Sequence, residues 1–193
     1  SDAVAERVAG AIADRLGSPS SVCKFDEEEA GIPPQLIVVR LLHDHCTISI
    51  DSSGELLHRR GYRLATAKAP LRETLAAAML LAAGWSAGRA EGSSEETADG
   101  QAALLDPFCG SGTIAIEAAQ MALGMAPGLA SGQARHFAFM AWPDFDAALW
   151  GQLVEQAEEH HARQLSRQTS HLQIAASDRD AGAVELARAN AAR

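Results

Sequence analysis

The residues with the most chemistry in this 193-residue chain are Asp106-Pro107-Phe108-Cys109-Gly110-Ser111-Gly112-Thr113. Gly110, Gly112 and Ala115 fit the spacing GxGxxA, in which absent or small side chains permit a tight turn and close approach of a ligand to the backbone. That spacing alone serves several nucleotide-type cofactors. Asp106 narrows the choice, because a carboxylate beside the turn repels the two charges of a pyrophosphate and favours an ammonium or a sulfonium. S-adenosylmethionine carries both cations and no phosphate. No Lys follows the glycines, which excludes a P-loop. The second half of such a site is an acid at the end of the next strand, where it holds ribose hydroxyls. Asp178, in Ala176-Ser177-Asp178-Arg179-Asp180, is the candidate. It lies far beyond the usual interval of about 20 residues, so residues of roughly 125–165 are read as an insertion in the crossover. Taken singly, Asp106 is equally a turn carboxylate and Asp178 equally a helix N-cap.

The elements that must position these residues follow from periodicity. Ala102 to Leu105 reads as a short buried strand running into Asp106, Gly112 to Leu123 as a helix, Leu172 to Ser177 as a second strand, and Ala181 to Arg193 as a helix. This order implies a parallel α/β sheet. Upstream, Val4, Val8, Ile12 and Leu16 mark an amphipathic helix closed by Gly17 and Pro19. Gln35 to Leu42 and Cys46 to Asp51 form an antiparallel hairpin joined by His43-Asp44-His45, and Ser52-Ser53-Gly54 ends it. Pro70 opens a helix carrying Leu75, Met79, Leu80 and Ala83. Residues 86–101 read as a mobile loop. His136 to Trp142 alternates apolar residues, and Asp144 or Asp146 caps a helix through His161.

Composition bounds the class. Hydrophobic residues are 47% and charged residues 21%, the balance of a globular chain. The longest apolar run, Leu75 to Trp85, is too short to span a bilayer. Cys23, Cys46 and Cys109 show no CxxC spacing, which excludes a disulfide scaffold or zinc ribbon and points to reduced thiols in a cytoplasm. A net charge of −9 argues against nucleic acid until its distribution is considered. Eleven of the 25 acids fall in Asp26–Glu29, Glu91–Asp99 and Glu155–Glu159, whereas His58 to Arg72 holds Arg59, Arg60, Arg63, Lys68 and Arg72 with no acid. The field felt by a phosphate is local, decaying over about 8 Å, so this strip can meet RNA; its alternative is a solvated segment whose arginines pair with nearby carboxylates.

The segment Asp106 to Thr113 followed by Ile114-Ala115-Ile116-Glu117-Ala118-Ala119 is similar to motif I of the THUMP-containing RNA guanine-N2 methyltransferases, the group of the 23S ribosomal RNA and tRNA enzymes. Asp51 to Glu55, Leu57 to Arg63, Ala69 to Glu73, Ala126 to Leu129 and Phe137 to Trp142 resemble the same family, as does the long interval before Asp178. The resemblance covers most of the chain from about residue 20. It implies a partial THUMP-like RNA-binding α/β unit over residues 1–57, then a Rossmann-like (class I) methyltransferase domain, truncated, over residues 58–193. It implies S-adenosylmethionine bound by Asp106 to Thr113 and Asp178. The Pro70–Thr74 helix start lies near the methionine end, where N–H groups up to Thr74 hold the cofactor carboxylate. Arg59, Arg60, Arg63 and Lys68 become RNA contacts.

Family members accept the protons of the target amine on an Asn or Asp followed by Pro-Pro and an aromatic that stacks on the extruded base. This chain contains no such run; Ile32-Pro33-Pro34-Gln35 lacks both acceptor and ring. No residue is assigned a catalytic role. The chain is expected to be a fragment, without turnover alone, whose short parallel sheet has open edges that favour self-association. An adenine-N6 DNA methylase and a non-catalytic RNA-binding module are the alternatives. His43, His45 and Cys46 lack a fourth ligand, so no metal site is expected. Cys109 has no base partner, His160-His161 is read as solvated, and Phe137, Phe139, Trp142 and Phe145 as packing before base stacking. Glu117 is read as a helix-surface residue or as one reaching the methionine end.

Overall fold

A computed structural model describes residues 2–17, 19–20, 22, 35–63, 70–85, 103–129, 134–168 and 172–193. The chain forms two compact units, Ser1–Gly54 and Glu55–Arg193.

In the first unit, helix α1 spans Asp2–Leu16, with Asp2 in its first turn and Arg15 in its last, each favourable to the helix dipole. Gly17, at φ 66°, closes it by donating to the Ala13 carbonyl at 2.9 Å. Strands β1 (Ile37–Leu42) and β2 (His45–Ile50) pair antiparallel with Ile37 opposite Ile50 and Leu42 opposite His45. The connection is two residues, His43 and Asp44, and not the three expected, because both adopt positive φ (49° and 60°). Such a turn matches the right-handed twist of the strands, and Asp and His tolerate that backbone region. Beyond the hairpin, the Asp51 carboxylate accepts the N–H groups of Ser53 (2.9 Å) and Gly54 (3.0 Å), which ends the strand as predicted.

The second unit contains α2 (Glu73–Ala82), β3 (Ala103–Asp106), α3 (Thr113–Ala122), a 3-10 helix (Ala138–Ala141), α4 (Ala147–Gln168), β4 (Gln173–Ala176) and α5 (Ala181–Ala191). β3 and β4 are parallel, with Leu104 opposite Ile174 and Asp106 opposite Ala176. Ala76 and Leu80 of α2 and Ile116, Ala118 and Ala122 of α3 are buried, and Trp85 donates its indole N–H to the Ala118 carbonyl at 3.0 Å. Small side chains on α3 allow its neighbours to approach closely.

Within the stretch read as an insertion, two expectations change. The aromatics from Phe137 onward form a cluster with one another, Phe137–Phe139 at 5.3 Å and Phe139–Trp150 at 5.3 Å between ring centroids, in place of a strand-like alternation. Helix α4 starts at Asp146, whose Oδ1 accepts the Leu149 N–H at 2.9 Å, and continues past His161 to Gln168. His161 is docked and not simply solvated, its Nδ1 lying 2.8 Å from the Leu123 carbonyl, while His160 is exposed, with its ring beside Gly124. Among the described residues no helix is long and apolar enough to cross a membrane, and no His, Cys, Asp and Glu group could hold a metal.

Candidate functional site

The parallel ladder ends where the chemistry begins. Past the last strand pair, Ser177 N–H donates to the Asp106 carbonyl (2.8 Å) and Cys109 N–H to the Ser177 carbonyl (2.9 Å), so the two strand ends are bonded to each other. Gly110 N–H then donates to Asp178 Oδ2 at 2.9 Å. The glycine turn and the distant acid are therefore in direct contact. Asp178 is not the helix N-cap; Asp180 fills that position, its carboxylate accepting from Gly182 N–H at 2.9 Å.

The two glycines have different tasks. Gly110, at φ 51°, faces open space, whereas a Cβ on Gly112, at φ 83°, would lie 2.9 Å from the Ala187 Cβ. Gly112 thus serves the close approach of α5 to the start of α3, and only Gly110 leaves room for a ligand. Pro107 and Phe108 are exposed, Phe108 at 86%, while Asp106, Cys109, Ser111 and Thr113 are buried. Asn190 on α5 is almost fully buried and donates from Nδ2 to the Ser111 carbonyl at 3.1 Å. The sequence carries no signal for this role, because an Asn near a helix end has many ordinary uses.

Electrostatically the turn is an acceptor site. Four of its own donors are consumed internally: Phe108 N–H by Asp106 Oδ1 (3.1 Å), Cys109 N–H by Ser177, Gly110 N–H by Asp178, and Gly112 N–H by the Cys109 carbonyl (2.7 Å). Those four N–H groups are not left to cradle a phosphate. The N–H groups of Asp180 and Gly110 hold the Asp178 carboxyl below its ordinary range. Burial, then the Asp106 and Asp178 carboxylates, push the Cys109 thiol up, and its Sγ lies 3.7 Å from the Gly110 carbonyl. That is the environment of an inert thiol.

The basic strip divides. Arg60 Nη2 lies 3.4 Å from Glu117 Oε2, and Tyr62 donates its hydroxyl to Glu117 Oε1 at 3.2 Å. Arg63 Nε lies 3.0 Å from Glu73 Oε1. Glu117 is thus a buried partner of Arg60 and Tyr62 and not a helix-surface residue; burial raises its pKa, against the pull of Arg60 and Tyr62. Desolvation and the same carboxylate push the Tyr62 phenol above its ordinary value. Arg59 and Arg72 are exposed, Thr74 is exposed on the first turn of α2, and Lys68 lies outside the described residues. Arg135 donates to the Arg59 and Glu55 carbonyls and stands 5.5 Å over the Phe137 ring, so the aromatic cluster holds the strip's backbone. A cavity of about 410 Å³ opens between α3 and α5, lined by Tyr62, Cys109, Ile116, Ile174 and Val184 among others. Neither Asp106 nor Asp178 lines it, so its size does not mark the polar site.

A parallel strand–glycine turn–helix with a carboxylate from each strand end defines a Rossmann-like α/β unit. Residues 60–193 match the UPF0020 family, described as an RMKL-like methyltransferase domain, and the chain belongs to that family. It is 39% identical over 189 residues to the ribosomal RNA large subunit methyltransferase K/L of Marinomonas sp. (strain MWYL1), covering 98% of this chain and 24% of that protein. Similar solved structures include SMU.472, a candidate methyltransferase complexed with SAH, at TM-score 0.68 and 32% identity, covering 96% of this chain and 41% of that one. A predicted N6-adenine-specific DNA methylase from Listeria monocytogenes str. 4b F2365 has TM-score 0.68 and 30% identity, with 98% and 42% covered. The chain thus spans about a quarter of the curated relative's length.

Proposed function

We propose that the turn Asp106–Thr113 and Asp178 bind S-adenosylmethionine for methylation of the exocyclic N2 of guanine in RNA, ribosomal RNA of the large subunit being the favoured substrate. The observation that carries the reading is the state of the turn: four of its N–H groups are used internally, while among the described residues Asp106 and Asp178 form no ion pair. A site of that kind suits a cationic ligand with hydroxyls and does not suit a pyrophosphate. Asp178 retains acceptor capacity for ribose hydroxyls, since a carboxylate has about four lone-pair sites and its two oxygens take backbone N–H groups. Asp106 supplies the negative field, Gly110 the open backbone, and Thr74 with the first turn of α2 the amino-acid end. When bound, the cofactor supplies a methyl group activated by its sulfonium.

Residues 1–57 are read as THUMP-like, and Arg59 and Lys68 as the contacts to RNA phosphates, with Arg60 and Arg63 supporting them from inside. A cytoplasmic location is part of the same reading. The sequence has no Asn/Asp-Pro-Pro-aromatic run, so binding, and not turnover, is the readout. Calorimetry with S-adenosylmethionine should give a saturable signal that Asp106→Ala weakens about 10- to 100-fold, the range for a lost charged hydrogen bond. A signal from a dinucleotide instead, or an unchanged one in the variant, sinks the assignment. The Listeria relative's name favours a second reading, adenine-N6 methylation of DNA. Comparing binding of the chain to a large-subunit RNA fragment and to duplex DNA separates the two.

A further inference from the structure

We propose that Arg63 is a positioning residue for the amino-acid end of the cofactor, fastening the start of α2 to the last residue of the glycine turn; this rests on reading that turn as an S-adenosylmethionine site. One guanidinium serves three acceptors: Nε donates to Glu73 Oε1 at 3.0 Å, and Nη2 donates to the Leu71 carbonyl at 3.0 Å and to Thr113 Oγ1 at 3.1 Å. Leu71 leads into α2 and Glu73 is its first residue, while Thr113 begins α3. Helix α2 has no side-chain cap of its own: Arg72, at φ −71° and ψ 139°, is extended and makes no capping bond. The start of α2 is therefore held from outside, by a side chain that also holds the turn.

The chemistry of the group suits that task. Guanidinium donors lie in one rigid plane, so bonds to Leu71, Glu73 and Thr113 together set the spacing of the two helix starts. A lysine would keep the charge and lose the fork. The arrangement is also costly, because among the described residues Arg63 Nη1 is buried with no acceptor, and an unmet buried donor lowers stability.

Calorimetry on the whole 193-residue chain with two probes separates positioning from folding. S-adenosylhomocysteine and 5′-deoxy-5′-methylthioadenosine share the nucleoside and the thioether and differ in the amino-acid portion. Arg63→Met should weaken S-adenosylhomocysteine about tenfold, the equivalent of one lost hydrogen bond, and methylthioadenosine by less than about twofold. Arg63→Lys should recover part of the loss. Thr113→Val, which removes one of the three bonds, should show the same selectivity to a smaller degree, and it decides the matter if Arg63→Met does not fold. Equal weakening of both probes, or unchanged S-adenosylhomocysteine binding in these variants, overturns the proposal while leaving the cofactor reading intact. If the unaltered chain binds neither probe, the cofactor reading fails and the proposal falls with it.

Discussion

Asp106 and Asp178 at the glycine turn and Glu73 and Glu117 on α2 and α3 are four carboxylates of one unit, satisfied by different means. The turn acids are held by backbone N–H groups, from Phe108 for Asp106 and from Gly110 and Asp180 for Asp178. The helix acids are held by guanidiniums, Arg63 for Glu73 and Arg60 for Glu117. A backbone dipole orients a carboxylate and leaves its charge in place, whereas a guanidinium cancels it. The first arrangement suits a site that must attract a cation; the second suits a scaffold that must hold still.

Breaking the scaffold should have the largest effect. Glu117→Ala leaves Arg60 buried beside a void, and side-chain exposures of 10% and 4% place the pair well inside the fold. Urea unfolding should show a loss of about 3–5 kcal/mol, and the double change Arg60→Leu, Glu117→Leu should recover most of it, as buried pairs replaced by apolar groups commonly do. Equal stability of Glu117→Ala and the unaltered chain would mean that the pair is not buried in solution.

The two glycines sharpen the comparison at the turn itself. Gly112→Ala combines a left-handed backbone with a Cβ 2.9 Å from Ala187 Cβ, and it should lose about 2–4 kcal/mol. Gly110→Ala meets open space and carries only the backbone term, about 1–2 kcal/mol. A second change, Ala187→Gly, should relieve the clash in the Gly112 variant, whereas in the Gly110 variant it adds only its own helix-interior cost of about 1 kcal/mol. Thermal midpoints of the four variants check the ranking.

The smallest expected effect concerns acid. The folded chain holds the Asp178 carboxyl below its ordinary value, about 3.9. Its contribution to stability is therefore present above about pH 4 and fades as pH falls through the lowered folded value. Asp178→Asn should be less stable than the unaltered chain near neutrality and converge with it in strong acid. Glu117, raised by burial, has the opposite slope but is common to both chains and cancels from the gap; a gap that widens in acid would show that the fold does not favour the charged form of Asp178.

What the sequence determined by itself is what local rules decide. The spacing of Val4, Val8, Ile12 and Leu16 specified α1, the order of strand, glycine turn and helix specified a parallel pair, and Asp106 with Asp178 marked the strand ends that meet. The tertiary structure alone decided which charges are used up. Arg59, Arg60 and Arg63 look alike as a basic run, yet the acids that claim Arg60 and Arg63 sit on α3 and α2, and only packing shows it. The same holds for Gly112 against Ala187, for Asn190 on the turn, and for His161 on the end of α3. Periodicity, turns and caps act within about one helical turn of chain. Partner choice among charges is made across the fold, by which side chains burial brings within hydrogen-bond distance.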